Sequence, residues 1–370
     1  MARIVELAGH SAAYGGRLLA EMGHDVIRVE PSQGDALRRL GPFLGGKPDL
    51  ENGACHQFLN AGKRSFILDV NSEPGCKMLR DLLATSEALL GQAPLPLGED
   101  DLSANPKLVV VRIDDSLPEL CTYARSGLLA LTGHPDRRPM LLGGHAAYAA
   151  TGTFAALALM AALLMHQTMG LGQVVDLSAQ ACLEVLGEQA VIAETVTGEK
   201  FERRGYRGAV TAISGGFRCA DGYAMLSVPP QAESWARFME WVQDPVLLED
   251  DSLADEAERR AKQEFVLDRL ESWTQRLGKE ELVVQAQLRH TPAAPVSTPL
   301  DLAEDPQLIA RGFLRTVEHP ELGSMLFPEG ALATLTGFQP TIAPRLGQHN
   351  SEILTELGYS ASQQESIAWR

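Results

Sequence analysis

The first thirty residues constrain the fold of this chain more than any other stretch. Residues 4–7 and 26–29 are mostly apolar stretches typical of strands, and between them lie small turn residues, 8–16, and a helix start, 17–22. Two strands joined by a helix make a βαβ unit, from which doubly wound parallel sheets are built. The opening therefore predicts an α/β fold with a Rossmann-like sheet.

The alternation of strands and helices continues to about residue 190 and then changes. In the first part we predict strands over residues 65–69, 108–113 and 173–177, and helices over 73–84, 120–131 and 146–165 and through 190. In the second part we predict a hairpin over 216–228 turning at Asp221-Gly222, helices over 232–241 and 255–288, an irregular stretch rich in Pro and Gly from 291, and a helix near 351–357. The change in pattern indicates a second domain.

A chain of 370 residues is longer than one ordinary domain. We predict a large Rossmann-like domain over 1–195, a linker over 196–214, a small α+β domain over 215–300, and a C-terminal segment, 301–370, that returns to the large domain. The linker assignment depends on its polar residues and repeated glycines.

The charge balance limits the classes of partner. Lys and Arg number 32 and Asp and Glu 48, so the net charge is −16. Such a surface repels phosphate backbones and anionic lipid, and we expect neither nucleic acid nor a membrane as partner. An anionic ligand would need a local basic pocket. The five cysteines are odd in number and lack a Cys-x-x-Cys pair, and the first residues lack a signal-peptide pattern, so we expect a cytoplasmic protein.

One uncharged stretch, between Arg138 and Asp176, requires a membrane test. Within it, residues 146–165 are about long enough to span a bilayer. The stretch consists mostly of alanine, and it has no aromatic belt. We therefore predict a buried helix of a large domain.

A βαβ opening also suggests a dinucleotide site, with Glu30 at the end of the second strand as the acid that would bind ribose. Gly9, Gly15 and Gly16 do not have the G-x-G-x-x-G spacing, so we expect no NAD and interpret Glu30 as a strand-end acid. The nine histidines are dispersed, and we predict no metal site.

Five segments resemble those of one known family. They are Asn60–Asp69 (NAGKRSFILD), Gly170–Ser178 (GLGQVVDLS), Phe217–Tyr223 (FRCADGY), Asp305–Phe313 (DPQLIARGF) and Pro344–Asn350 (PRLGQHN). They are similar to segments of the family III CoA-transferases, which include formyl-CoA transferase, the carnitine and bile-acid-inducible transferases and α-methylacyl-CoA racemase. The matches occur in family order and extend over nearly the whole chain.

The resemblance implies a fold, an assembly and a chemistry. Two ring-shaped subunits, each with a large and a small domain, would interlock as a homodimer or as a heterodimer with a paralogue. The substrates would be an acyl-CoA and a small organic acid. In the family an Asp carboxylate attacks the thioester, which gives a mixed anhydride and free CoA thiolate; the thiolate then forms an enzyme thioester that exchanges acids. A small glycine-rich loop covers the intermediate, and Gly215 and Gly216 are its candidates here.

Glu119 occupies the position of the family's catalytic Asp, in the segment Pro118–Gly133. Glutamate keeps the carboxylate and adds one methylene. The alternative interpretation is that Glu119 is a helix N-terminal acid that follows Pro118. His145 and Tyr148 are candidate accessory residues.

The resemblance also suggests residues that contact CoA. These are His10, Ser11, Arg38, Asn60, Lys63, Arg64 and Gln92. The family loop V-E-N-F-R-P-G, whose arginine lies at the CoA nucleotide, is replaced by residues 90–96, and we therefore expect weak or altered CoA binding. The racemase pair of His and Asp is also absent, because its positions hold Pro118 and Tyr148.

The leading hypothesis is a divergent CoA-transferase that moves CoA between an acyl-CoA and a carboxylic acid through an acyl-carboxylate anhydride. One alternative is an isomerase or rearrangement enzyme that acts on acyl thioesters with the same fold. The other is a catalytically degenerate partner subunit of a heteromeric CoA-transferase.

Overall fold

The computed structural model describes residues 1–7, 9–98, 101, 105–198, 200–207, 211–330, 332 and 336–367. The strands in these ranges are β1 (Arg3–Glu6), β2 (Asp25–Glu30), β3 (Arg64–Ile67), β4 (Ala88–Gln92), β5 (Val109–Asp114), β6 (Gln173–Ser178), β7 (Ser214–Cys219), β8 (Gly222–Ser227), β9 (Ala293–Pro295), β10 (Leu314–His319) and β11 (Gly323–Pro328).

The helices are named here by their residues. They are His10–Glu21, Ala54–Asn60, Glu73–Ala84, Glu119–Arg125, Leu128–Leu131, Ala146–Met169, Ala179–Leu186, Glu188–Thr197, Ala232–Val242, Pro245–Leu248, Glu256–Ala261, Gln263–Thr274, Lys279–Leu288, Pro299–Glu304, Pro306–Ala310, Asn350–Glu356 and Ala361–Ser366. Short 3₁₀ turns lie at Ala36–Arg39, Leu44–Gly46 and Asp251–Ala254. His10–Glu21 is called the first helix below, and Ala146–Met169 the long helix.

A six-stranded parallel sheet has the order β3-β2-β1-β4-β5-β6. The predicted α/β fold with a parallel sheet is thereby confirmed. Chain order reverses direction between β1 and β4, where Ile4 pairs with Val26 on one side and Ala88 on the other. In open sheets of this kind, ligands bind in the crevice outside the carboxyl ends of the strands at such a switch point. The fold therefore directs attention to the residues that follow β1 and β4.

Both faces of this sheet are covered by apolar side chains, as a parallel sheet requires. On one face the first helix and the long helix pack on the strands, with Leu19, Val109 and Leu159 in their core. On the other face Leu79 and Ile353 pack with Phe66. Residues 1–128, 142–196 and 305–370 form one compact unit.

The first helix begins at His10, so the prediction that residues 8–16 form a turn is wrong. Gly15 and Gly16 resemble turn residues in the sequence, but packing explains them. A Cβ on Gly16 would lie 1.7 Å from Oε2 of Glu6, and a Cβ on Gly15 would lie 3.0 Å from the carbonyl oxygen of Gly152. Glycine is present inside the helix because neighbouring groups approach its backbone closely.

Three other elements differ from the sequence prediction. Strand β4 was not predicted, because it ends in Gly91-Gln92, which resemble loop residues. The β10–β11 hairpin lies in the stretch predicted to be irregular. The helix predicted over 120–131 is two helices, Glu119–Arg125 and Leu128–Leu131, because Gly127 between them has a φ of +85°.

The second unit comprises residues 129–141 and 197–304. It contains an antiparallel sheet of order β7-β8-β9, and the predicted hairpin is present. Its two-residue turn is Ala220-Asp221, one residue before the predicted Asp221-Gly222, because Gly222 already pairs with Cys219. Its core includes Phe238, with the rings of Trp241 and Trp273 in an edge-on contact at 4.7 Å. The helix predicted over 255–288 is divided into three, Glu256–Ala261, Gln263–Thr274 and Lys279–Leu288.

Among the described residues, the long helix alone has the length and apolar composition to cross a membrane. One of its faces, with Ala155 and Leu159, is buried against the rest of its unit, as expected for a core helix. Its opposite face is apolar and exposed, with Leu157 and Leu164 each 63% accessible. The helix is therefore part of the core on one side only.

Candidate active site

Glu119 is the first residue of a short helix, and its side chain reaches the N-terminus of the long helix. Its Oε1 accepts a hydrogen bond from the backbone N–H of Ala147 at 3.2 Å, and its Oε2 lies 3.3 Å from Nδ1 of His145. The side chain of Glu119 is only 13% exposed. Because a helix N-terminus carries free N–H groups and a partial positive charge, it favours a carboxylate at this place.

Two other predicted residues complete this cluster. The ring of His10, at the start of the first helix, lies 4.8 Å from the ring of His145. It also stacks on Tyr148 at 4.4 Å with an interplanar angle of 16°. His145 holds a left-handed backbone with φ 55° directly before the long helix. The structure thus brings together Glu119, His10, His145 and Tyr148, which are far apart in the sequence.

Burial determines the protonation of the groups around Glu119. The pKa of His10 is lowered to about 4, mainly by burial and further by His145 and Arg28. The pKa of Tyr148 is raised by burial and by the carboxylates of Glu119 and Asp115. Near neutral pH the His10 imidazole and the Tyr148 phenol are therefore uncharged.

Asp115 is a member of this neighbourhood that the sequence interpretation missed. It follows directly after β5, at the edge of the sheet where functional residues collect. Burial raises its pKa, and Ser11 and Gln92 offset part of that effect. Among the described residues, neither Oδ1 of Asp115 nor Oγ of Ser11, both buried, has a hydrogen-bond partner of normal geometry. Both atoms are closed to solvent, and Ser11 lies close enough to Asp115 to lower its pKa.

A crevice of about 460 Å³ lies at the carboxyl ends of β1 to β4. Its described lining consists of Leu7, Val29, Glu30, Pro31, Gln33, Leu68, Asp69, Val70, Asn71, Gln92, Ala93, Pro94 and Pro96. Gln92, the last residue of β4, also donates a long hydrogen bond of 3.5 Å to the carbonyl oxygen of Asp115. Gln92 therefore links the crevice to Asp115, one of the residues around Glu119.

Lys63 and Asn60 lie in a buried network. Nζ of Lys63 is 2.7 Å from Oε2 of Glu6 and donates to the carbonyl oxygen of Ala13 and to Oδ1 of Asn60. Glu6 also binds Arg28, and none of these three charged side chains is accessible to solvent. Burial lowers the pKa of Lys63 to about 8, although Glu6 raises it. Lys63 and Asn60 are internal, and this position does not favour a direct contact with CoA. Their contact with CoA stays a prediction.

Arg38 and Arg64 are also bound by carboxylates of the chain. Arg38 places two guanidinium nitrogens on Glu30 at 2.7 and 2.8 Å, and Ser65 donates to the same carboxylate at 2.7 Å. This use of Glu30 agrees with a structural strand-end acid. Arg64 pairs on the surface with Asp25, Glu352 and Glu356. Contact of either arginine with CoA stays a prediction.

The remaining predicted site residues are Gly215 and Gly216. They belong to the second unit and lie inside β7, where they pair with Leu226 and Met225. The structure therefore places them in a strand, and their role in covering an intermediate stays a prediction. Across the described ranges, no group of three or more His, Cys, Asp or Glu side chains is arranged for a metal ion.

We expect the free energy of unfolding to fall as the pH is lowered from about 6.5 to 4. Burial holds the pKa of His10 at about 4 and that of His56 at about 3, where Arg38 adds to the effect. In this window the unfolded chain binds protons that the folded chain excludes, so stability rises with pH. Urea unfolding at pH 7 and pH 5 measures the difference.

The His56→Gln variant should show a smaller difference between the two pH values than the wild type. His134→Gln, which changes a half-buried histidine outside this cluster, serves as the control and should leave the difference unchanged. Equal stability of the wild type at pH 7 and pH 5 would contradict the expectation.

Comparisons with known proteins identify the family of this chain. The chain matches the profile of CoA-transferase family III over residues 2–350. It is 30% identical over 398 aligned residues to succinyl-CoA:(R)-benzylsuccinate CoA-transferase subunit BbsE of Thauera aromatica, with 99% of this chain and 95% of the relative covered. It is 29% identical to a succinate–glutarate CoA-transferase of Agrobacterium fabrum, with 96% and 94% covered.

Solved structures share the fold at lower identity. A CAIB/BAIF family protein from Brucella suis superposes with a TM-score of 0.81 at 24% identity, with 96% of this chain and 98% of that chain covered. A hypothetical protein from Mycobacterium tuberculosis superposes with a TM-score of 0.77 at 22% identity, with 95% and 98% covered. The family prediction is confirmed, and with it the prediction of a CoA-transferase enzyme. The chain belongs to CoA-transferase family III.

Proposed function

We propose that this chain moves CoA between an acyl-CoA and a carboxylic acid, with the carboxylate of Glu119 as the group that accepts the acyl group. The observation that supports this role is the placement of that carboxylate. It is held by Ala147 and His145 at the N-terminus of the long helix, and the ring of His10 packs on that of His145. A carboxylate held in one position before the substrate binds is suited to nucleophilic attack.

The proposed reaction needs no group from outside the site. The Glu119 carboxylate attacks the thioester carbonyl, the C–S bond breaks, and CoA leaves as the thiolate, which gives a mixed anhydride. The thiolate attacks the Glu119 carbonyl and releases the first acid, so that CoA is now bound to Glu119 as a thioester. The second acid attacks this thioester and forms a new anhydride with release of thiolate. The thiolate then attacks the new acyl carbonyl and restores the Glu119 carboxylate.

The neighbouring side chains would serve this reaction by position and by their lack of charge. His145 and the Ala147 N–H orient the two carboxylate oxygens of Glu119. The stacked rings of His10 and Tyr148 form a flat, uncharged wall beside them. Such a wall supports exclusion of water from a reactive anhydride, which water would otherwise hydrolyse.

We place the CoA moiety in the crevice at the carboxyl ends of β1 to β4. Ligands of doubly wound folds occupy this position, and here Gln92 connects it through Asp115 to the residues around Glu119. Of the residues expected to contact CoA, His10, Ser11 and Gln92 lie where a thioester in this crevice would reach Glu119. Lys63, Asn60 and Arg38 would support the crevice from inside through their ion pairs and hydrogen bonds.

The acid is proposed only by class. The relatives with names given above act on succinyl-CoA with benzylsuccinate, or on succinate and glutarate. We therefore infer a dicarboxylic acid and its CoA thioester as the substrate class, with succinyl-CoA as the first donor to test.

The test is to trap the acyl group on the enzyme. We expect that succinyl-CoA and hydroxylamine together convert Glu119 to its hydroxamate, because hydroxylamine cleaves an anhydride or a thioester at the side-chain carbonyl. Peptide mass spectrometry locates the modified residue. Omission of succinyl-CoA is the control and should give no hydroxamate. Turnover of succinyl-CoA without a hydroxamate at Glu119 would contradict its proposed role.

A second candidate is the degenerate partner subunit of a heteromeric transferase. It is favoured by two relatives, one described as subunit BbsE and one as the alpha subunit of a succinyl-CoA–L-malate CoA-transferase. In that case no hydroxamate forms at Glu119, and acid exchange appears only when an active paralogue is added. The acyl-thioester rearrangement alternative predicts instead an isomeric acyl-CoA without exchange of acid.

The assembly is also proposed. The exposed apolar face of the long helix supports association with a second subunit, with itself or with a paralogue. The interlocked ring-shaped dimer, the division into domains over 1–195, 215–300 and 301–370, and the cytoplasmic location stay predictions. Light scattering that finds a folded monomer would contradict the dimer.

A further inference from the structure

The crevice at the carboxyl ends of β1 to β4 has little to attract phosphate. The charged residues of its described lining are Glu30 and Asp69, both acidic. CoA carries a diphosphate and a 3′-phosphate, and the chain as a whole has a net charge of −16. A ligand with these phosphates therefore needs a local cation at the crevice.

The buried cations near the crevice are already bound to carboxylates. Arg28 contacts Glu6 and Asp35, and Arg38 contacts Glu30 through both of the latter's carboxylate oxygens. Both arginine side chains are fully buried. Release of either guanidinium to a phosphate would leave an unpaired carboxylate inside the protein, which is costly.

Arg39 differs from these two in exposure and in partners. It donates through one terminal nitrogen to the carbonyl oxygen of Gln33 at 2.6 Å and through the other to that of Gly34 at 3.4 Å. Gln33 is one of the residues that line the crevice, so the guanidinium is bonded to the lining, although Arg39 is not itself part of it. Within the part of the chain that the structure describes, Arg39 forms no ion pair with a carboxylate.

The two carbonyl groups hold the Arg39 guanidinium without neutralising it. Carbonyl oxygens are uncharged, and a guanidinium has five N–H donors, so donors and the full positive charge remain for an anion. A planar guanidinium fixed in this way matches the geometry of phosphate oxygens.

We propose that Arg39 binds a phosphate of the CoA nucleotide at the rim of this crevice and thereby distinguishes acyl-CoA from acyl thioesters that lack the nucleotide. The inference depends on the proposed function in that it takes CoA as the ligand of the crevice. It assigns the main electrostatic recognition of CoA to an arginine outside the motifs that identify the family.

The test compares the binding of CoA with that of pantetheine, which has the thiol arm but no phosphate. In calorimetry we expect Arg39→Ala to raise the Kd for CoA about 10- to 100-fold, the effect of losing a hydrogen bond between charged groups. The Kd for pantetheine should stay unchanged. Arg39→Gln keeps a donor for the backbone carbonyls but loses the charge, and it should show the same loss for CoA, which separates charge from local folding.

Arg315→Ala is the matched control, because it removes the same charge from an exposed position on the β10–β11 hairpin. It should leave both Kd values unchanged. In turnover with succinyl-CoA, Arg39→Ala should raise KM and keep kcat.

The outcomes separate this inference from the proposed function. If the wild type binds CoA but has no transferase activity, and Arg39→Ala weakens that binding, the inference is supported and the proposed function is contradicted. Turnover by the wild type with the same CoA affinity and KM in Arg39→Ala would overturn the inference alone. Absence of CoA binding to the wild type would overturn both.

Discussion

The Glu119→Gln variant should lose CoA transfer by a factor on the order of 10³ or more, because an amide can neither attack a thioester nor carry the acyl group as an anhydride. The substitution is nearly isosteric. Its amide oxygen can still accept from Ala147, so the N-terminus of the long helix keeps a partner. The measurement is the rate of acid exchange with succinyl-CoA, together with the thermal midpoint as a check that the variant is folded.

Glu119→Asp is the informative companion to this variant. It keeps the carboxylate, but its side chain is shorter by one C–C bond. The carboxylate oxygens would therefore lie farther from Ala147 and His145, which contact both oxygens of Glu119 in the wild type. A displacement of about 1 Å can cost roughly 10²-fold in rate. We therefore expect activity well below that of the wild type and above that of Glu119→Gln. If Glu119 only stabilises a helix terminus, Glu119→Gln will retain nearly all activity, and Glu119 must be removed from the mechanism.

The Lys63→Ala variant should lose about 3–5 kcal/mol of folding free energy, the usual cost of removing one partner from a buried ion pair. Nζ of Lys63 lies 2.7 Å from Glu6, and both side chains are inaccessible to solvent. Without Lys63, the charge of Glu6 is compensated by Arg28 alone. Urea unfolding followed by circular dichroism measures the loss.

Lys77→Ala is the control for this prediction, because Lys77 pairs with Asp81 on the surface of a helix and should contribute little. Folded Lys63→Ala protein at low temperature should bind CoA as the wild type does if Lys63 has only an internal role. Weaker CoA binding together with unchanged stability would instead restore Lys63 as a ligand contact.

The parallel sheet could be predicted from sequence because each apolar run has a strand length and a helix follows it. Strand β4 was missed because it ends in Gly91-Gln92, so its pattern resembles a loop. This omission also hid the switch point of the sheet. The start of the first helix was missed for a different reason. Its glycines are required by close packing against Glu6 and Gly152, and a local sequence pattern does not reveal such contacts.

The site could be predicted in part. Spacing relative to the family motif selected Glu119, and the resemblance also suggested His10, His145 and Tyr148. Neither indicated that His145 and Ala147 hold the carboxylate of Glu119, because that contact joins two helices. The basic residues show the opposite limitation. Lys63 and Arg38 have the charge that a phosphate needs, but only the fold reveals that Glu6 and Glu30 already bind them.

The close crossing of the first helix and the long helix limits how this site can be redesigned. A Cβ on Gly152 would lie 2.6 Å from the carbonyl oxygen of Ser11, so the two backbones are in direct contact there. Gly152 is seven residues beyond His145, about 10 Å along the helix axis. A larger residue at this crossing would displace the start of the first helix, where His10 lies, relative to the N-terminus of the long helix, which contacts Glu119. Engineering for bulkier acids should therefore widen the exposed side of the site and leave this glycine contact intact.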